Sequence, residues 1–155
     1  MAASVYLETT IPSYLTARTS VDIVMAARQQ ITREWWDGHR AGYDLYVSQL
    51  VLDEASAGDA EAVARRLAAL DNIPLIHAQP GTDSLVETLI QELALPDRAA
   101  ADAAHIALAV LNGIDFLLTW NCTHIANARN RPIIEQACRQ FGFRPPTICT
   151  PEELL

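Results

Sequence analysis

Lysine is absent from this chain, and all 11 basic residues are arginine. The planar guanidinium group of arginine binds phosphate through two hydrogen bonds, so an arginine-only set suits phosphate contacts. Coding bias of a genome produces the same composition, and composition alone does not separate the two explanations. With 19 acidic residues the net charge is −8, which is opposite to the basic surface expected of a nucleic-acid-binding protein.

The chain also lacks paired cysteines and long apolar runs. Its cysteines, Cys122, Cys138 and Cys149, are odd in number and form no Cys-x-x-Cys pair, which argues against a disulfide framework and a zinc site. No apolar run approaches the roughly 20 residues that span a membrane. The first four residues lack the basic region of a signal peptide, so we expect a cytoplasmic protein with reduced thiols.

What the chain does contain is enough apolar sequence for one folded domain. Half of its 155 residues are hydrophobic, a proportion that argues against disorder. A chain of this length can bury a substantial core, and it falls within the usual size of one domain. We therefore expect a single domain over residues 1–155.

Short apolar runs that predict strands alternate with segments of helical periodicity. The predicted strands are residues 5–7, 45–47, 73–76, 116–118 and 147–149, and the third and fifth are expected at sheet edges. The predicted helices are a short one at Pro12, then 23–36, one capped by Ser48, 59–70, 82–93, 96–112, 121–126 and 131–141. This alternation predicts a parallel sheet of four or five strands between helical layers, a three-layer α/β/α sandwich.

Four polar residues stand where an apolar segment ends or is interrupted. Glu8 follows the first predicted strand and Asn121 the fourth, Glu54 follows residues 50–52, and Asp102 interrupts the alanine-rich residues 99–111. Acidic groups beside a core cost free energy unless they are paired or bind a metal. Because the carboxyl ends of parallel strands converge on one crevice, these residues predict an oxygen-ligand site for Mg²⁺ or Mn²⁺.

Each of these residues also has a purely structural explanation. Glu8 could be a surface residue at a turn, and Glu54 could lie on a solvated helix face. Asp102 could pair with an arginine, and Asn121 could cap the turn that follows it. His105 lies on the same helical stripe as Asp102, where it is either a partner of that carboxylate or a satisfied core histidine. The joint placement of the four residues at the ends of elements carries the metal-site prediction.

The segments around these residues resemble the four motifs of PIN-domain nucleases, and most closely those of VapC-like toxins from type II toxin–antitoxin systems. They are Tyr6-Leu7-Glu8-Thr9-Thr10, the Glu54 segment, Asp102-Ala103-Ala104-His105-Ile106-Ala107-Leu108-Ala109 and Leu117-Leu118-Thr119-Trp120-Asn121. The resemblance covers essentially the whole chain in the same order. It implies an α/β/α sandwich, Mg²⁺- or Mn²⁺-dependent RNA cleavage, a homodimer, and a small antitoxin protein as inhibitor.

The resemblance also implies roles for individual residues. Glu8, Glu54 and Asp102 match the metal-binding acids, and Asn121 stands where a fourth acid is expected. Thr9, Thr119 and His105 are the supporting residues. Two departures matter, because Glu8 is one methylene longer than the usual aspartate and Asn121 removes a negative charge. They leave open an alternative, a catalytically weakened or inactive module that binds RNA or an antitoxin.

Three further polar residues follow Asn121 in the sequence. Arg129 and Arg131 are candidates for phosphate contacts by position, and His124 is expected at the surface or beside the site. The segments 23–36 and 82–93 offer broad apolar faces, which we expect to pair two copies of the chain.

Overall fold

Five parallel strands form one sheet in the computed structural model, which describes residues 1–155. They are β1 (Ala3–Leu7), β2 (Tyr43–Ser48), β3 (Leu75–Ile76), β4 (Phe116–Leu118) and β5 (Thr147–Cys149). Their spatial order is β3-β2-β1-β4-β5, which puts β1 at the centre and the two predicted edge strands at the edges. Tyr6 of β1 pairs with Tyr46 of β2 on one side and with Leu117 of β4 on the other. The predicted parallel sheet is confirmed.

Seven α-helices cover the two faces of this sheet. They are α1 (Thr10–Thr16), α2 (Ile23–Gly38), α3 (Gln49–Ala55), α4 (Ala60–Ala69), α5 (Thr82–Glu92), α6 (Ala100–Leu111) and α7 (Arg131–Gln140). Helix α1 packs against α2 and α4, whereas α5 packs against α6 and α7. These two groups form the outer layers of the predicted α/β/α sandwich. No helix combines the length and the apolar character needed to cross a lipid bilayer.

The order of the strands fixes where a site can form. From β1 the chain moves outward through β2 to β3, then returns to β4 beside β1 and moves the other way to β5. Right-handed crossovers in opposite directions place their helices on opposite faces, and a crevice opens between the two strands where the direction changes. That crevice lies at the carboxyl ends of β1 and β4, next to Glu8 and Thr119.

Local signals located most of the elements correctly. The side chain of Ser48 accepts a hydrogen bond from Val51 N and begins α3, and that of Asp59 accepts one from Ala62 N and begins α4. The third strand is shorter than predicted, because Pro74 has no N–H for the ladder and Asn72 adopts a left-handed φ of 63°.

The predicted helix over residues 121–126 is wrong. Residues 122–125 form a turn, in which the backbone amides of Ile125 and Ala126 both bond to the carbonyl of Asn121. The side-chain amide of Asn127 then donates to the carbonyl oxygens of Cys122 and Thr123. These carbonyls are satisfied by a side chain and not by a following helical turn, so the helix does not continue.

Candidate metal centre

Glu8 occupies the central position in the crevice. Its backbone N–H donates to the Leu118 carbonyl at 3.1 Å, and its own carbonyl accepts from Ile11 N at the start of α1. The residue is therefore fixed between the end of β4 and the first turn of a helix. Its side chain is buried, with the whole residue only 4% exposed. The surface-turn explanation for Glu8 is excluded by this burial.

A set of threonines holds the Glu8 carboxylate by one oxygen. Oε1 accepts hydrogen bonds from Thr10 N at 3.1 Å, from the Thr10 hydroxyl, and from the Thr119 hydroxyl at 2.7 Å. Thr10 Oγ1 in turn accepts from Trp120 N at 2.8 Å, which ties α1 to the end of β4. The second oxygen, Oε2, has no protein partner and is not sealed from solvent. One carboxylate oxygen thus remains for a ligand.

Glu54 reaches the same crevice from α3, the helix that follows β2. Its Oε1 accepts from the Thr9 hydroxyl and from His105 Nε2 at 2.6 Å, and its side chain is 35% exposed. Burial opposes ionisation, but the hydrogen bonds from His105 and Thr9 hold the pKa of this carboxyl below its ordinary value of 4.5. Glu54 is therefore an anion at neutral pH, and its Oε2 is unengaged.

Glu8, Glu54 and His105 form one group of ligand atoms. One atom from each of these side chains lies within 4.8 Å of the others, so the group could hold a metal ion. Its two carboxylates each keep a free oxygen, which suits a cation. His105 uses Nε2 for Glu54 and Nδ1 for the Tyr6 hydroxyl at 2.8 Å, so both ring nitrogens are already engaged. In this arrangement His105 orients the Glu54 carboxylate, as outer groups orient the ligands in metal sites.

Asp102 lies in the first turn of α6 and belongs to a second pair. Its Oδ2 contacts His124 Nδ1 at 2.8 Å, and the two side chains are 17% and 23% exposed. The Asp102 carboxylate is not part of the group formed by Glu8, Glu54 and His105. It pairs with a histidine, whereas the structural explanation considered from the sequence was a pair with an arginine. Oδ1 of Asp102 has no protein partner and reaches solvent. That Asp102 binds the metal stays a prediction.

The Asn121 amide acts as a cap in this structure. Its Oδ1 accepts from His124 N at 3.0 Å, and its backbone N–H donates to Thr119 Oγ1 at 2.9 Å. The amide oxygen therefore fixes the turn that presents His124 to Asp102. A metal ligand at Asn121 would have to compete with this hydrogen bond.

The supporting residues from the sequence, Thr9, Thr119 and His105, all contact the acids. Thr9 and Thr119 donate to Glu54 and Glu8. Of the two explanations for His105, a partner of Asp102 or a satisfied core histidine, the second fits its full burial and its two bonded ring nitrogens. The carboxylate that it contacts is Glu54 across the crevice. Thr10, the second hydroxyl residue after Glu8, also donates to that carboxylate of Glu8. One contributor was missed, Tyr6, because it resembles an ordinary core aromatic.

Three arginines near these motifs have no carboxylate partner. The guanidinium of Arg28 lies over the Trp120 ring, 5.2 Å from its centroid. Arg129 is exposed and Arg131 half-buried, and neither forms an ion pair. Only Arg139 and Arg144 pair with carboxylates. The cationic groups beside Trp120 and after the His124 turn are thus free to meet an anion.

A comparison with models of known protein families and with curated protein sequences finds no match. The PIN-domain resemblance therefore stays a proposal, which depends on the residues and geometry of this chain.

The lowered pKa of Glu54 predicts an acid-sensitive contribution to stability. Because the folded state favours the anion, this contribution is complete above the unfolded value of 4.5 and is lost as pH falls through the lower folded value. We expect the difference in unfolding free energy between wild type and Glu54→Gln to shrink between pH 7 and pH values below 4.5. Urea unfolding followed by circular dichroism measures it, with Asp53→Asn on the same helix as control. A difference that is constant with pH would contradict the prediction.

Proposed function

We propose that this protein is a Mg²⁺- or Mn²⁺-dependent endoribonuclease that hydrolyses RNA phosphodiester bonds, similar to VapC-like toxins of the PIN-domain family. The observation that carries the proposal is the convergence of Glu8 and Glu54 at the carboxyl ends of β1 and β2, each with an unengaged oxygen. Open parallel sheets bind their ligands in this position. Two carboxylates there favour a divalent cation, and a divalent cation favours a phosphate substrate.

The choice of Mg²⁺ or Mn²⁺ follows from the donor atoms. Carboxylate oxygens suit these hard cations, whereas zinc sites commonly use thiolates. Burial raises the pKa of the Cys138 thiol to about 11 and that of Cys149 to about 12, so both stay protonated at neutral pH. Neither thiol lies in the group that could hold an ion.

Each residue of the site then has a definite task. Glu8 and Glu54 hold the ion, with Asp102 as the third acid that the resemblance implies. When bound there, the ion lowers the pKa of water and stabilises charge that develops on the phosphate oxygens. Thr10 and the other threonines keep the carboxylates in place without neutralising them. One of the carboxylates accepts the proton from the attacking water as general base.

Substrate binding is assigned to the unpaired arginines. Arg28 lies over the ring of Trp120, whose backbone amide bonds to Thr10 in the crevice, and it is assigned to the phosphate backbone for that reason. Arg129 and Arg131 follow the His124 turn and extend the same cationic set. These groups, together with the bound cation, offset locally the net charge of −8.

A cleavage assay with controlled metal content tests the proposal. Labelled single-stranded and structured RNAs are incubated with the purified protein and Mg²⁺, Mn²⁺ or EDTA, and the products are resolved on a gel. We expect cleavage with at least one of the metals and none with EDTA. Intact RNA across a varied panel in both metals would contradict the nuclease function.

A second candidate is a module that binds RNA or an antitoxin without turnover. The hydrogen bonding of Asn121 favours this second function. Its amide oxygen already accepts from His124 N, and the amide adds no negative charge for a second ion. The same preparation distinguishes the two functions. RNA binding measured by fluorescence anisotropy, without cleavage in either metal, would support the module.

The proposal includes self-association, with one change to the surface first predicted. The apolar face of residues 82–93 is not free, because Leu85 and Leu89 are buried in the core. At the start of α2, by contrast, Val21, Ile23 and Val24 are strongly exposed, with Ile23 at 85%. Three adjacent exposed apolar side chains favour burial against a second copy or a partner.

A charged side chain in the apolar patch of Val21, Ile23 and Val24 should disrupt the dimer. We expect sedimentation at micromolar concentration to show a dimer for wild type and a monomer for Ile23→Asp. The wild-type dimer should bury more than about 1,000 Å² in total. Leu67→Asp, an exposed apolar position on α4, is the matched control and should stay dimeric. A monomeric wild type would contradict the prediction. Co-expression with the product of an adjacent small reading frame tests separately for an antitoxin partner.

A further inference from the structure

We propose that the buried pair of Ser48 and Tyr6 is a positioning device for the metal centre, which holds the ring of His105 in place and, through it, the orientation of Glu54. Ser48, Tyr6 and His105 do not contact the proposed substrate. The positioning role rests on the metal site of the proposed function, but the hydrogen bond from Tyr6 to His105 can be measured without metal or RNA.

An unbroken chain of short hydrogen bonds links these side chains. The Tyr6 hydroxyl lies 2.7 Å from Ser48 Oγ and 2.8 Å from His105 Nδ1, and His105 Nε2 lies 2.6 Å from Glu54 Oε1. Tyr6 and His105 are fully buried and Ser48 almost so. Bulk water therefore does not replace a partner that is lost, and the network has to be satisfied internally.

The direction of donation along this chain is determined at both ends. The ionised Glu54 carboxylate only accepts, so His105 Nε2 carries a hydrogen. Ser48 Oγ accepts from Val51 N at 3.3 Å, which leaves its hydroxyl hydrogen for the Tyr6 oxygen. Burial raises the pKa of the Tyr6 phenol far above its ordinary value of 10.0, so the hydroxyl keeps its hydrogen and donates it to His105 Nδ1. Every hydrogen in the chain then has an acceptor.

The reverse direction is poorly satisfied. It would put a hydrogen on both ring nitrogens of His105, with Nδ1 donating to Tyr6 and Tyr6 donating to Ser48. The Ser48 hydroxyl hydrogen would then have no acceptor, because Oγ contacts only Tyr6 and Val51 N. A buried donor without a partner is strongly disfavoured. The neutral ring with hydrogen on Nε2 is the tautomer that fits.

This tautomer decides which Glu54 oxygen is free. Oε1 receives the His105 N–H and the Thr9 hydroxyl, so Oε2 is left for a cation beside the free oxygen of Glu8. Without the Tyr6 hydroxyl, Nδ1 loses its only hydrogen-bond partner, while the hydrogen stays on Nε2 because the Glu54 carboxylate accepts it. The ring would then be held by Glu54 alone, and Glu54 would lose its fixed orientation. Outer groups that orient ligands typically change metal affinity by about 10- to 100-fold.

The tautomer is tested by ¹⁵N NMR of histidine in metal-free protein. We expect the two ring nitrogens of wild-type His105 to report a single neutral form with hydrogen on Nε2. Tyr6→Phe should leave the hydrogen on Nε2 and move the Nδ1 signal, because that nitrogen loses its donor. An Nδ1 signal that Tyr6→Phe leaves unchanged would overturn the proposal. Tyr46→Phe is the matched control, since Tyr46 pairs with Tyr6 in the sheet and makes no side-chain hydrogen bond. A mixed or Nδ1-protonated ring in wild type would overturn the proposal without any variant having to fold.

Metal affinity tests the consequence for the site. By isothermal titration with Mn²⁺, Tyr6→Phe should bind about 10- to 100-fold more weakly than wild type, and Tyr46→Phe should bind equally well. Mn²⁺ binding that Tyr6→Phe leaves unchanged would overturn the positioning role alone. A wild type that binds neither Mn²⁺ nor Mg²⁺ would contradict the proposed function as well. Thermal unfolding of each variant shows whether a loss of affinity comes from a loss of fold.

Discussion

Replacing Glu8 with glutamine is expected to abolish metal-dependent RNA cleavage while the protein stays folded. The glutamine carbonyl can accept the same bonds from Thr10 and Thr119, so the threonine contacts survive. The free carboxylate oxygen of Glu8, however, is replaced by the neutral NH2 group of the glutamine. Metal ions supply several kcal/mol of transition-state stabilisation, and each 1.36 kcal/mol is tenfold in rate. We therefore expect cleavage to fall by at least about a hundredfold.

The controls separate loss of the metal from loss of the fold. Asp53→Asn removes one negative charge next to Glu54 on α3, where Asp53 only accepts a hydrogen bond from the Gln49 side chain, and it should cleave normally. Circular dichroism and Mn²⁺ titration are run on the same preparations. Full cleavage by Glu8→Gln would remove Glu8 from the catalytic site.

The fold was predictable because its signals are local. The apolar runs of β1 and β4, the capping residues Ser48 and Asp59, and the alternation with helices all act within a few residues of the chain. The wrong helix predicted at residues 121–126 also came from a local signal. Asn121 is a good cap, but the side chain of Asn127 ends the helix within one turn, and no periodicity reveals that competition.

The site was only partly predictable, because its contacts are not local. Placing Glu8 and Glu54 in one crevice followed from the rule that parallel strands share their carboxyl ends. The partners of the acids depend on tertiary packing, as Thr119 and Glu8 are 111 residues apart and His105 and Glu54 are 51 apart. Sequence spacing linked His105 to Asp102 on one helix. The folded chain instead turns His105 to Glu54 and gives Asp102 a different histidine.

The pairing of Asp102 with His124 adds a contact to the metal-binding role proposed for this acid, and mutation can separate the two. As a metal ligand it would supply Oδ1 to the ion, and as a partner of His124 it would orient the imidazole through Oδ2. In the Asp102→Asn variant the new side-chain amide can still offer its oxygen to His124 Nδ1, so this substitution removes mainly the charge. His124→Gln has the opposite effect, because it removes the imidazole and leaves the carboxylate charged.

We expect Asp102→Asn to abolish Mn²⁺-stimulated cleavage, by at least about a hundredfold for the same energetic reason as at Glu8. If Asp102 binds the ion, this variant should also lose Mn²⁺ affinity in calorimetry, and His124→Gln should keep it. If instead both variants bind Mn²⁺ like wild type and both lose cleavage, Asp102 acts through His124 and the ligand assignment is wrong. Circular dichroism of both proteins is the folding control, since the pair is largely buried and an unfolded variant would lose activity for a trivial reason.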